Sequence, residues 1–253
     1  MIKTMGKRLI RRMGFDVVRY AQSQQGSFPP DFDDEAVEII RAVKPYTVTN
    51  LERLFALIQA VRYLVRANIA GSMVECGVWQ GGSMMAVAHT LKRLGTEDRD
   101  LYLFDTYEGM TRPTAVDVTY SGTSAVVEFQ RTQKTDGTSG WLLVPLEQVQ
   151  RNLLSTGYNP ERLHFIKGKV EETLPGAPPT EIALLRLDTD WYESTRQELV
   201  HLFPRLVVGG VLIVDDYGYW QGSKKATDEY LAQNNLVLLL NRIDYTGRIA
   251  VKA

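Results

Sequence analysis

The chain has 253 residues, 44% hydrophobic and 23% charged, which suits one large α/β domain with a sizeable core. A formal net charge of -1 gives no electrostatic reason to expect a nucleic acid or an acidic membrane as partner, and no apolar run approaches the roughly 18 residues of a membrane span. The single cysteine, Cys76, excludes an internal disulfide framework and a multi-cysteine metal site.

The N-terminus, MIKTMGKRLIRRMGF, is basic and mildly amphipathic but lacks the continuous apolar core and small-residue cleavage site of a secretory signal. Residues 1–45 therefore read as a helical arm or lid on a cytoplasmic protein, interrupted at Gly26-Ser27-Phe28-Pro29-Pro30. A short helix is predicted from Asp33 to Val43, stopped before Pro45. Thr49 or Asn50 caps a longer one whose apolar stripe is Leu51, Leu54, Phe55, Ile58, Val61, Tyr63, Leu64 and Val65. Met73–Val78 is the first strand, and Gly81-Gly82-Ser83 opens the helix that follows, to about Arg93. Leu101–Phe104 is the second strand, ending at Asp105. The longest irregular stretch, about 111–141, is rich in Thr, Ser and Gly; a loop of that length is a lid or carries its own helix. A helix at Leu146–Leu154 and a strand at Leu163–Lys167 come next. A strand at Ile182–Leu187, a helix from about Ser194 to Leu206 closed by Gly209-Gly210, and a strand at Val211–Val214 then form one crossover unit. A helix at Ser223–Gln233 precedes two strands, Val237–Ile243 and Arg248–Lys252, which flank Asp244-Tyr245-Thr246-Gly247 as a closing hairpin. This alternation predicts an α/β fold over residues 46–253, with a mostly parallel sheet, helices on both faces and an antiparallel C-terminal hairpin.

Both strands of the crossover unit run into acid: Asp188 and Asp190 after the first, Asp215 and Asp216 after the second. Parallel strands bring their carboxyl ends to one edge of the sheet, where open α/β sheets bind ligands. Four carboxylates gathered there repel one another unless a cation neutralises them. Metal binding or proton transfer is the functional reading; the alternative is helix capping, since Asp190 precedes Ser194-Thr195. The first strand leads into Glu75-Cys76-Gly77-Val78-Trp79-Gln80-Gly81-Gly82-Ser83, glycine-rich where the backbone must turn sharply. It is not G-x-G-x-x-G, and Glu75 would repel a pyrophosphate but suit an ammonium group, which favours S-adenosylmethionine over NAD. Asp105 stands where a carboxylate can accept both ribose hydroxyls.

The segments ECGVWQGGS, FDTYEGM, KGKVEETLP, LRLDTDWYEST and VGGVLIVDDYGYWQGSKKATDEY together resemble the macrocin O-methyltransferase family over about Leu51 to Ala253. The resemblance implies a class I methyltransferase (Rossmann-like) fold with a seven-stranded sheet. It also implies a metal-dependent enzyme that transfers methyl from S-adenosylmethionine to sugar hydroxyls in antibiotic biosynthesis. Glu75, Gly77, Gly81 and Ser83 would then surround the methionine part of the cofactor. Asp105 would hold the ribose, and Lys169 and Val170 would lie near the adenine. Asp188, Asp215 and Asp216 would bind Mg²⁺, with Asp188 and Asp190 as the catalytic pair, Asp190 serving as base or ligand. The partners expected are a small-molecule sugar or glycoside acceptor and a second copy of the chain in a homodimer. The rivals are a catechol or phenol O-methyltransferase, an NAD-linked oxidoreductase and a non-catalytic nucleoside-binding protein.

His89, His164 and His201 fall within elements rather than at strand ends, so a carboxylate base is favoured. Cys76 reads as a small buried residue. Trp191, Tyr192, Tyr217, Tyr219 and Trp220 either wall the acceptor pocket or pack, and Lys224 and Lys225 read as a solvated helix face.

Overall fold

The computed structural model describes residues 28–135, 139–176 and 178–253; the part of the expected arm at 1–27 lies outside the described residues. One seven-stranded sheet organises the chain. β1 (Ser72–Cys76), β2 (Leu101–Asp105), β3 (Leu163–Lys167), β4 (Ile182–Leu187) and β5 (Leu206–Val214) are mutually parallel. β6 (Asn241–Arg242) and β7 (Arg248–Val251) close the chain, β7 pairing antiparallel with both β5 and β6. The spatial order is β3-β2-β1-β4-β5-β7-β6, so the topology reverses at β1, with β2 on one side and β4 on the other.

Helices α1 (Asp34–Val43), α2 (Leu51–Arg66) and α3 (Gly82–Arg93) pack together on one side of the sheet. α1 belongs to the compact unit, which begins at Asp34, and buries Ala36, Ile39, Ile40 and Val43. Asn50 caps α2 as its sequence suggests, accepting from the Arg53 amide at 2.9 Å. Helices α4 (Ala125–Thr132) and α5 (Leu146–Leu154) fall between β2 and β3. The other face carries α6 (Val170–Thr173), α7 (Tyr192–Leu202) and α8 (Gln221–Gln233). Side chains alternate along a strand. Val74 and Cys76, Leu185 and Leu187, Leu212 and Val214 therefore meet Leu199, Leu202 and Tyr230 in one core cluster. The intervening residues of the same strands, Glu75 and Arg186 among them, point to the face that α2 and α3 cover.

Three elements depart from the sequence reading. α7 stops at Leu202, where Pro204 turns the chain through a short 3₁₀ segment, and β5 begins already at Leu206. Gly209 and Gly210 consequently lie inside the strand and do not close the helix. Gly209 takes φ +82°, and the β4–β5 register slips between Ile182 and Leu184, so the pair marks a bulge. The strand expected at Val237–Ile243 shrinks to Asn241–Arg242, because its partner β7 is only four residues long. The 111–141 stretch carries its own helix, α4, which Ser124 caps, one of the two readings of its length, and it is stitched to the body. Buried Asp117 accepts from the amides of Thr114 (2.7 Å) and Tyr192 (2.8 Å), and the Trp191 indole donates to the Thr111 carbonyl at 3.1 Å.

Leu185, fully buried in the central strand β4, and Val237, 95% exposed beside the sheet edge, give contrasting expectations. Leu185→Ala should cost about 3 kcal/mol of stability through lost burial and a residual cavity. Val237→Ala should change stability by less than about 0.5 kcal/mol. Urea titrations of both variants check this, and equal costs would mean that the sheet's centre is not where the chain's stability lies.

Candidate active site

The carboxyl ends of β1, β4 and β5 are held level by ladder bonds that continue past the strands. Asp188 donates its amide to the Cys76 carbonyl and Asp215 to the Leu187 carbonyl, each at 2.9 Å. Asp188, Asp215 and Asp216 thereby offer carboxylate oxygens that all lie within 4.8 Å of one another. Asp190 joins them from the β4–α7 turn, in the left-handed region at φ +69°. Asp tolerates that conformation better than most residues, at a cost of order 1–3 kcal/mol that the surrounding structure must sustain. Its carboxyl is hydrogen-bonded by Asp216 and by the Trp220 side chain. Convergence of all four acids is as the sequence suggests.

Two guanidinium groups that the sequence reading did not bring here share the cluster. Arg186 sits directly across the β1–β4 register from Glu75, and both are almost wholly buried. Its fork reaches Glu75, Asp188 at 2.7 Å, Asp215 at 2.5 Å and Thr49 Oγ1 at 3.4 Å. Arg53, from the first turn of α2, bonds the other oxygen of Asp215. The acids are thus partly neutralised from within. Glu75 and Arg186 are lone charges inside the apolar strands SMVEC and IALLRL, and a charge at such a position needs a partner. That signal was present in the sequence. Arg53 carries none, because only the fold brings α2 over the strand ends.

Burial dominates the protonation equilibria. It raises Asp190 to about 7, aided by Asp188 and opposed by the bonds from Asp216 and Trp220. Glu75 is also pushed to about 7 by burial, against the pull of Arg186. Asp188 and Asp216 are driven well above the usual carboxylate range, first by burial and then by neighbouring acids, with Arg186 opposing at Asp188 and Arg53 at Asp216. Both Asp190 and Asp216 are thus raised first by burial and then by the other acids around them.

Above this floor lies a cavity of about 330 Å³, walled by Trp79, Met110, Trp141, Tyr219, Trp220 and the acids. A second, smaller slot opens beside it between Phe104, Met110, Gly168, Lys169, Val170 and Glu171, and the two share Gly77, Asp105, Gly109, Met110 and Asp188. Gly77 has φ +81°, and a Cβ there would lie 1.9 Å from the Asp188 carbonyl oxygen, so only glycine lets β1 and β4 come together under the cleft. Asp105 fastens the turn by accepting from the amides of Val78 (2.6 Å) and Trp79 (3.2 Å). Of the expected cofactor residues, Gly77, Asp105, Lys169 and Val170 line the cleft. Glu75 lies beneath the floor on Arg186, Gly81 faces Leu153 of α5, and Ser83 is buried in α3. A groove with a carboxylate where its two chambers meet and a partly apolar slot beyond fits an adenosine bearing a short charged tail. The oxygen-only donor set, with a buried and unpartnered Oδ2 on Asp216, fits a hard divalent cation.

The tempting aromatic residues divide. Tyr219 and Trp220 line the cavity. Trp191 packs against Trp220 with centroids 4.9 Å apart, Tyr192 bonds Glu229 at 2.7 Å, and Tyr217 bonds Asp228 at 2.6 Å. Lys224 and Lys225 pair with Asp228 and Glu229 one turn along α8, as a solvated face does. His164 is tied to Asp100 at 2.8 Å, away from the cleft.

A family model described as macrocin-O-methyltransferase (TylF) matches residues 10–251. The chain belongs to this family. Over 202 residues, 80% of this chain and 74% of the relative, it is 35% identical to the 8-demethyl-8-(2,3-dimethoxy-alpha-L-rhamnosyl)-tetracenomycin-C 4'-O-methyltransferase of Streptomyces olivaceus. It is 33% identical, over the same shares of the two chains, to the demethyldecarbamoylnovobiocin O-methyltransferase of Streptomyces niveus. The solved structure of the O-methyltransferase NovP superposes with a TM-score of 0.72 at 31% identity, covering 82% of each chain. This member of the macrocin O-methyltransferase family is therefore an S-adenosylmethionine-dependent O-methyltransferase of class I fold, which sets aside the oxidoreductase and the non-catalytic binding protein. Among the described residues no helix is long and apolar enough to cross a membrane.

The raised acids make a stability prediction. A carboxyl whose folded pKa lies above its unfolded value binds more protons in the native state, so it stabilises the fold at low pH and loses that contribution as pH rises through the folded value. Asp190 and Glu75, both near 7 when folded, should make the ion-free protein lose stability between about pH 4 and pH 7. Chemical denaturation at stepped pH checks this; rising stability across that window would contradict the burial of these groups.

Proposed function

We propose that this methyltransferase is metal-dependent and that its acceptor is a sugar hydroxyl on a glycosylated natural product. The observation that carries the reading is the convergence of Asp188, Asp190, Asp215 and Asp216 on the floor of the aromatic-walled cavity beside the nucleoside slot. Mg²⁺ held by Asp188, Asp215 and Asp216 would supply charge that lowers the pKa of an alcohol and fixes its direction. The sugar context is supported by the relative whose name places it on a rhamnosyl-tetracenomycin, and the natural-product context also by the one named for demethyldecarbamoylnovobiocin.

The remaining work falls to this chain's own residues. Asp190 takes the proton of the acceptor hydroxyl, while the bond from the Trp220 side chain and the left-handed backbone fix the carboxyl's aim. The acceptor oxygen forms its new bond to the methyl carbon as the carbon–sulfur bond breaks, and the electron pair leaves with sulfur, so the charges balance. Asp105 and the Gly77 turn hold the nucleoside, Lys169 and Val170 border its base, and Trp141, Tyr219 and Trp220 present apolar faces to the acceptor and exclude water. The 111–141 segment, which supplies Trp141, acts as the acceptor-side wall.

Asp190→Asn should lose about 10²–10⁴ in turnover with metal and S-adenosylhomocysteine affinities nearly unchanged. Asp188→Asn should lose metal affinity as well. Labelled S-adenosylmethionine supplied with glycosides, free sugars or catechols, with and without Mg²⁺, separates the readings. Near-normal turnover of Asp190→Asn would make it a structural residue, full activity in excess chelator would remove the metal, and methylation confined to catechols would move the acceptor to the phenolic class.

A further inference from the structure

Arg53 is divided between two carboxylates. Its side chain is 15% exposed on the cavity wall, and it is hydrogen-bonded to Asp215, one of the three acids gathered for the ion. Its Nε lies 3.2 Å from Asp244 Oδ2, yet it is buried and makes no aligned hydrogen bond. A buried guanidinium N–H without an acceptor is costly, and here an acceptor stands beside it. Asp244 is already fixed in place: the Asn50 amide nitrogen reaches Oδ2 at 2.6 Å, and the Thr246 and Gly247 amides reach Oδ1 at 2.8 and 2.6 Å. Arg186, by contrast, is committed to Glu75, Asp188, Asp215 and Thr49, rises from the penultimate position of the central strand β4, and is 3% exposed. Of the two guanidinium groups on Asp215, Arg53 is the one with a second place to go.

We propose that Arg53 is the resident counter-cation of this cluster, which neutralises Asp215 in the ion-free enzyme and gives it up, keeping Asp244, when a divalent ion binds. The proposal rests on the metal reading above and adds to it a residue that sets the site's affinity. An Arg53 nitrogen and a divalent ion seek the same carboxylate, Asp215, and repel each other across a few ångströms of poorly screened space. Binding the ion therefore includes the work of dislodging Arg53, and the waiting Asp244 reduces that work. The arrangement gives Asp215 a second cation beside Arg186 in the ion-free fold, at the expense of some metal affinity.

The test is titration of the full-length protein with Mn²⁺ as a probe for Mg²⁺, followed by calorimetry, for the wild type, Arg53→Met and Asp244→Asn. Arg53→Met should bind Mn²⁺ about tenfold more tightly, and Asp244→Asn about fivefold more weakly, because Arg53 then has no alternative to Asp215. Thermal melts supply a second readout, tied to the first by linkage. Arg53→Met should melt below the wild type without ion and close most of that gap in saturating Mn²⁺. Unchanged or weaker Mn²⁺ binding by a folded Arg53→Met, or a gap that the ion does not narrow, overturns the proposal. Should Arg53→Met fail to fold, wild-type affinity in Asp244→Asn overturns it instead. If no form of the chain, wild type included, binds Mn²⁺, the metal reading itself fails and this inference falls with it. If the wild type binds and both variants match it, only the inference falls.

Discussion

The buried contact between Arg186 and Glu75 is the constraint on which the cleft depends. Both residues lie in the middle of the sheet on its α2–α3 face, opposite each other in the β1–β4 register. Breaking such a pair leaves one buried charge uncompensated, which costs several kcal/mol. A one-residue slip of β4 would turn Arg186 into the apolar cluster of the other face, so the pair pins the register of the two central strands. From that pin the rest follows: Arg186 extends to Asp188 and Asp215, and the ends of β1, β4 and β5 stay level enough for four acids to share one floor.

The same strand ends serve two tasks that would conflict on a less regular scaffold. Close approach of β1 to the Asp188 backbone requires Gly77, which leaves a bare stretch of main chain between the slot beside Lys169 and Val170 and the acidic floor. Asp105 then ties the turn to the end of β2. The two chambers meet over Gly77 and Gly109, with Asp105, Met110 and Asp188 lining both.

Local periodicity and turn chemistry made most of this fold legible. The apolar runs of β1 to β5, the Asn50 cap of α2 and the glycine turn before α3 are local facts, and the acids after β4 and β5 follow from parallel strands sharing an edge. Less legible were features decided by tertiary partners. Leu206–Gly210 joins a strand because β4 and β7 offer hydrogen bonds, whereas the preceding helix simply ends at a proline. Residues 237–240 alternate like a strand but find no ladder. At the site, repulsion among the acids was legible while its internal remedy was not, since Arg53 lies 162 positions from Asp215. Glu75 suited a cofactor's ammonium group in sequence; in the fold its partner is Arg186.

The tryptophans have a consequence for observation. Of the four in the chain, Trp141, Trp191 and Trp220 lie with ring centroids 4.9 to 6.4 Å apart, and Trp79 lines the same cavity. Trp141 comes from the 111–141 segment, while Trp191 and Trp220 come from the turns after β4 and β5. Indoles this close and this differently tilted couple their electronic transitions, so the tryptophan contribution to the near-ultraviolet circular dichroism of this protein comes from one place. The cavity wall thus carries its own chromophore, and occupation of the cavity can be followed optically without attaching a label.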